Sequence, residues 1–188
     1  MPILTWSLKQ HNVSPVEAQW ADFGRIPRQL SAEDRIRVVL DLYPCDVLFI
    51  HRDAEAQPPQ LRRTEIAQSM AGSAVRHIPV VPVRMTEAWL LASETAIRSA
   101  AGNPNGNIAL TLPNTRNLEN LADPKRVLHT ALATASGLNV RRRAKLAVHE
   151  RVHLIPNYIN DYSCLNALPA FRALQNDIRD LIEDNRNS

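Results

Sequence analysis

The chain has 188 residues, 45% of them hydrophobic and 22% charged, with a formal net charge of +3. That is enough for one buried core, and no apolar run approaches the ~20 residues needed to span a bilayer. A collagenous, disordered or membrane-spanning chain is excluded, as is a strongly basic one that would bind nucleic acid through net charge alone.

The first element expected is an amphipathic helix over Pro2–Gln10, with Ile3, Leu4 and Leu8 on one side. The segment Asn12 to Pro27 is punctuated by Pro15, Gly24 and Pro27, with room for a short helix between Val16 and Phe23. Ser31 is a natural N-cap, with Glu33 and Asp34 in the first turn and Ile36, Val39 and Leu40 behind them. Pro44 stops that helix, and the run Cys45-Asp46-Val47-Leu48-Phe49-Ile50-His51 reads as a buried strand. Arg52, Asp53 and Glu55 follow at its tip. Alternation sends Asp53 and Glu55 to the same side if the backbone stays extended that far.

Pro58-Pro59 precedes a helix expected from about Gln60 to Ala71, closed by Gly72. Glu65 lies on its solvated face. Arg76 to Val83 has strand composition, but Pro79 and Pro82 remove an amide donor from each edge, so the strand must be short or peripheral. Thr86 caps a helix that carries Glu87-Ala88-Trp89-Leu90-Leu91 to about Ala101, with Trp89, Leu90 and Leu91 in the core. Gly102 to Asn107 is a loop, and an irregular stretch leads to Asp123-Pro124, a cap followed by proline at the first helical position. Helices are then expected over 124–136 and 139–153, with a break at Pro156 and a last helix from about Ala167 to Glu183, before a frayed Asn185 to Ser188.

The order helix–strand–helix–strand–helix, then helices only, describes a single α/β domain over 1–188. Its α/β core covers about 1–101, and its helical C-terminal part about 102–188. Strand 45–51, the helix after it and strand 76–83 have the length of a βαβ crossover, which makes the strands parallel. Asp53 and Glu55 then share one sheet edge with Arg84 and Glu87, where open α/β sheets bind ligands. Oxygen-rich groups gathered there suit a hard cation such as Mg²⁺.

Two cysteines, Cys45 and Cys164, have no metal-type spacing and read as buried free thiols of a cytoplasmic protein, in keeping with an N-terminus that lacks the pattern of a secretory signal. His149-Glu150-Arg151-Val152-His153 matches H-E-x-x-H, the zinc-hydrolase helix. Arg151 puts a cation inside that motif, Pro156 ends the helix soon after, and no His or Glu follows before Glu183 to act as third ligand. Only Lys9, Lys125 and Lys145 are lysines among the 22 basic residues. Arginine suits bidentate phosphate contact, and Arg141-Arg142-Arg143 with Lys145 forms one basic cluster.

The segments Phe49-Ile50-His51-Arg52-Asp53-Ala54-Glu55, Pro82 to Leu91 with its Glu-Ala-Trp-Leu-Leu core, and Asp123-Pro124-Lys125 resemble a bacterial family of unknown function with a Toprim-like fold. Its members accompany ATPases in defence or mobile-element loci, and it is related to the overcoming-lysogenisation-defect nucleases. The resemblance implies a Rossmann-like parallel sheet flanked by helices and a Mg²⁺- or Mn²⁺-dependent nuclease. Asp53 and Glu55 stand for its metal-binding pair and Glu87 for its later acid. Arg52, Arg84, Lys125, Arg142 and Arg143 are the candidate phosphate contacts, with nucleic acid as substrate and an ATPase as partner. The family's first strand, with its acidic turn, would precede Ile3-Leu4. Its apparent absence from this chain makes a non-catalytic Toprim-like interaction module the alternative, with the zinc hydrolase third.

Overall fold

The computed structural model describes residues 2–55 and 57–186. Two strands, β1 (Val47–His51) and β2 (Arg76–Val80), pair in parallel from Val47 opposite Arg76 to His51 opposite Val80. Helices α1 (Pro2–Gln10), α2 (Ala32–Leu42) and α3 (Pro59–Met70) accompany them. The remainder is helical: α4 (Glu87–Leu90), α5 (Glu94–Ala100), α6 (Pro124–Ala135), α7 (Val140–Arg143), α8 (Val148–Leu154) and α9 (Pro169–Arg186). The result is an α/β fold with a small parallel sheet flanked by helices. Among the described residues no helix is long and apolar enough to cross a membrane.

Local signals explain most of these elements. Ser31 Oγ accepts the Asp34 amide at the start of α2, and Asp123 accepts the Arg126 amide before Pro124 opens α6. β1 starts at Val47, two residues later than expected, after the Pro44–Asp46 turn. β2 ends before Pro82, yet the ladder continues past both strands. The Arg52 amide donates to the Val80 carbonyl at 3.1 Å, and the Ala54 amide to the Pro82 carbonyl at 3.0 Å. Proline has lost its donor but keeps its acceptor.

Several expectations are corrected. No α-helix forms between Val16 and Phe23; a single 3-10 turn occupies Phe23–Arg25. The helix expected from Glu87 to Ala101 breaks after Leu90, because Ser93 caps a new helix by accepting the Ala96 amide. The helix expected over 139–153 is two, α7 and α8. Arg141 and Lys145 are like charges four residues apart, and their repulsion disfavours a continuous helix across that run. A 3-10 segment, Thr115–Asn120, interrupts the irregular stretch before α6. The last helix starts at Pro169 and runs to Arg186, so Asn185 is helical, while Asn187 and Ser188 lie outside the described residues. Cys45 and Cys164 are free but exposed. Cys45 sits in the turn before β1, and Cys164 faces outward beside the buried Leu165; partial cover still pushes both thiols up from their ordinary values.

The main core draws on both ends of the chain: Leu4, Ile78, Trp89, Leu128, Ile155, Phe171 and Ile178 belong to one buried cluster. Trp89 meets the Phe171 ring edge-on, with centroids 5.5 Å apart. A second, smaller cluster of Ala54, Ile66 and Val81 seats α3 on the sheet. Arg63 of α3 forms a bidentate pair with Asp177 of α9, at 2.8 and 2.7 Å. Arg151 Nη1 donates to the Ala100 carbonyl at 2.7 Å, closing α5. The next residue but one, Gly102, has φ +78°, and a Cβ there would lie 3.0 Å from that same guanidinium.

Glu119 caps α9 from outside it: its Oε1 accepts the Ala170 amide at 3.1 Å. The Trp89 indole N–H lies close enough to favour the carboxylate, although it is not aligned as a full hydrogen bond. Burial nevertheless dominates and raises the Glu119 pKa above its ordinary value, against the pull of the Ala170 amide, Trp89 and Arg172. The folded state therefore holds this proton more tightly than the unfolded chain. Glu119's contribution is fully present below the ordinary carboxylate range and is lost as pH rises through the raised value. Urea unfolding of Glu119→Gln should show a shallower fall in stability over that window than wild type. An unchanged pH slope would contradict this assignment.

Candidate metal and phosphate site

The parallel sheet brings the C-terminal ends of β1 and β2 to one rim. Because the ladder stays extended through Ala54, His51 and Asp53 project to the same side. His51 Nε2 lies 3.1 Å from Asp53 Oδ1 and 2.8 Å from Thr86 Oγ1. Three donor atoms from β1, its extension and the start of α4 thus converge.

Two anomalies mark this spot. Thr86 occupies the N-cap position of α4 yet makes no side-chain cap bond, its hydroxyl being turned to His51 instead. Asp53 Oδ1 is buried without a hydrogen-bond partner, its contact with His51 being close but poorly aligned. A buried carboxylate oxygen with no donor is costly, on the order of 1–3 kcal/mol, unless something outside the protein satisfies it. Asp53 and Thr86 offer the hard oxygen atoms that Mg²⁺ requires, and the imidazole suits Mn²⁺ better. The donor set therefore fits a divalent cation that completes its coordination with water or phosphate.

Glu55 does not join Asp53. Its φ is +51°, a left-handed conformation that ends the extended run, and its carboxylate turns toward Arg62 at 3.7 Å. Arg62 in turn holds Glu65 at 2.9 Å, and Glu65 lies 3.7 Å from Arg52. Glu65 is thus exposed as expected, but it links two arginines. Arg52 and Glu55 belong to this surface network on α3, where such pairs contribute little to stability.

Glu87 lies in the first turn of α4, next to Thr86, and its charge reaches His129 on α6. His129 has its pKa lowered by burial first, then by His149 and Lys125, while Glu87 and Asp123 oppose the shift. Lys125 is exposed on the same helix. Arg84 is half-buried and, among the described residues, forms no ion pair. Arg142 and Arg143 are exposed on α7, where Asn139 caps the helix through the Arg142 amide and Arg143 reaches the Leu138 carbonyl. Both guanidinium groups lack carboxylate partners among the described residues.

The H-E-x-x-H match does fall on a helix, α8, but His149 packs edge-on against His129. Arg151, inside the motif, is committed to the end of α5. Among the described residues no three His, Cys, Asp or Glu side chains gather as a metal cluster. His51 and Thr86 are the site residues that sequence reasoning missed. Applying strand alternation backward from Asp53 would have found His51. No family model matches the chain, and no curated protein or solved structure shows significant similarity to it.

Proposed function

We propose that the protein is a Toprim-like, Mg²⁺- or Mn²⁺-dependent enzyme that cleaves nucleic-acid phosphodiesters. The observation that carries this reading is the orphaned Asp53 Oδ1, set beside His51 Nε2 and Thr86 Oγ1 at the C-terminal rim of a parallel sheet. Asp53 and Thr86 would hold the cation, which when bound would polarise a phosphoryl oxygen and acidify a coordinated water. His51 Nε2, between the hydroxyl and the carboxylate, is placed to take up or release a proton. Arg84 and Lys125, without carboxylate partners among the described residues, offset negative charge on the phosphate. Glu87 adds negative potential beside the same rim.

The resemblance to the Toprim-like family supports the same substrate class and a partner ATPase, and the free thiols of Cys45 and Cys164 support a cytoplasmic setting. A second reading, a non-catalytic Toprim-like interaction module, is favoured by one observation: Glu55, at φ +51°, turns away from Asp53 toward Arg62, so the acid pair implied by the resemblance is not assembled. The two are separated by incubating the full chain with labelled single- and double-stranded DNA and RNA, with Mg²⁺, Mn²⁺ or chelator. Cleavage that requires the metal supports the enzyme. Binding without cleavage of any substrate, with or without the partner ATPase, supports the second reading.

A further inference from the structure

We propose that His129 and His149 form a two-histidine clamp for a borderline transition-metal ion, Zn²⁺ in the first instance, that ties α6 to α8. The two helices pack against each other and present one imidazole each, with ring centroids 4.8 Å apart and planes at 88°. The expected geometry follows from the bond lengths. A Zn–N bond is about 2.0–2.1 Å and each ring centroid lies roughly 1.1 Å behind its nitrogen, so two imidazoles on one ion have centroids roughly 4.5 Å apart at a right angle and about 5.2 Å apart at the tetrahedral angle. The observed spacing lies between those limits, so the rings stand at a separation one ion can bridge once their nitrogens turn toward it.

The imidazoles are also free to bind. Neither ring makes a hydrogen bond among the described residues, His149 is exposed and His129 half-buried, so the pair is reachable from solvent. Negative charge comes from Glu87 on α4 and Asp123 at the head of α6, and Lys125 is the opposing cation. Imidazole nitrogen selects Zn²⁺, Ni²⁺ or Cu²⁺ over the hard cations expected at Asp53, so the two sites differ in chemistry as well as position. With no third protein ligand gathered among the described residues, water fills the remaining positions and binding is of moderate strength.

This arrangement reassigns the H-E-x-x-H match. His149 contributes, but its partner is His129 on a neighbouring helix, not His153 one turn further along α8. Isothermal titration of the full chain with Zn²⁺ should show one ion bound at these residues. Affinity should fall roughly tenfold or more in His149→Ala and in both His129→Ala and the bulkier His129→Gln, with His153→Ala and Asp53→Asn unaffected. Circular dichroism of each variant in the absence of metal identifies any that fails to fold, and the two His129 replacements keep the comparison decisive. No Zn²⁺ binding by wild type, or equal affinity in the His129 variants, overturns the clamp. Loss in His153→Ala with His129→Gln unaffected overturns it in favour of the i, i+4 pair. Because Asp53→Asn leaves this site intact, its failure is distinguishable from failure of the strand-end site.

Discussion

Asp53→Asn should abolish metal-dependent cleavage, lowering the rate by about 10²-fold or more, the scale set by removing one charged group that acts at the transition state. The same substitution should leave thermal stability unchanged or slightly raised. Asp53 Oδ1 makes no aligned hydrogen bond, and the His51 imidazole 3.1 Å away offsets its charge only when protonated. That combination separates a functional acid from a structural one. A structural carboxylate such as Asp177, held by two guanidinium hydrogen bonds, would lose stability on the same change. A melting temperature that drops sharply in Asp53→Asn, with cleavage per folded molecule unchanged, would assign Asp53 to the scaffold.

The largest stability effect is expected at the opposite end of the logic, in Phe171→Ala. Phe171 is fully buried, meets Trp89 edge-on at 5.5 Å and Trp6 at 6.4 Å, and thereby joins α9 to α4 and α1. Its removal costs about 3–5 kcal/mol through lost burial and the cavity left behind, with the edge-on ring contact accounting for about 0.5–1.5 kcal/mol beyond area. Against a typical total of about 5–15 kcal/mol, that leaves a marginal or unfolded protein. Trp20→Ala is the contrast: Trp20 is 66% exposed, and its loss should change stability by no more than about 0.5 kcal/mol. Urea unfolding of both variants checks the pair. Similar midpoints would mean that Phe171 does not anchor the core.

Local rules made much of the fold legible. Ser31 and Asp123 marked helix starts, Pro59 and Pro124 occupied first turns, and the spacing of the two apolar runs implied a parallel crossover. The breaks inside the helices expected over 87–101 and 139–153 were harder. Ser93 with Glu94 was a readable cap signal masked by the apolar continuity of Trp89 to Ala92, whereas the break after Arg143 has only the like-charge run to announce it.

The site was legible in part. Strand alternation placed Asp53 at the rim and the crossover placed Arg84 and Glu87 at the same edge, but pairing Asp53 with Glu55 assumed an extended backbone that the positive φ of Glu55 ends. Nothing in the local sequence fixes that turn, because it depends on how α3 packs back on the sheet through Ile66 and Val81. His51 lay within reach of strand alternation, but neither it nor His129 carries a local signal of its role. Each acquires its role from a residue distant in sequence, Thr86 for one and His149 for the other.

We propose that a divalent cation is held where β1 ends, by Asp53 with Thr86 and beside His51. Titrating ¹⁵N-labelled protein with substoichiometric Mn²⁺ reads this directly, because the paramagnetic ion broadens the amide signals nearest to it. Selective broadening of His51, Asp53 and Thr86, absent in Asp53→Asn, is expected. Broadening centred elsewhere in the chain, or an equal pattern in wild type and Asp53→Asn, would contradict it.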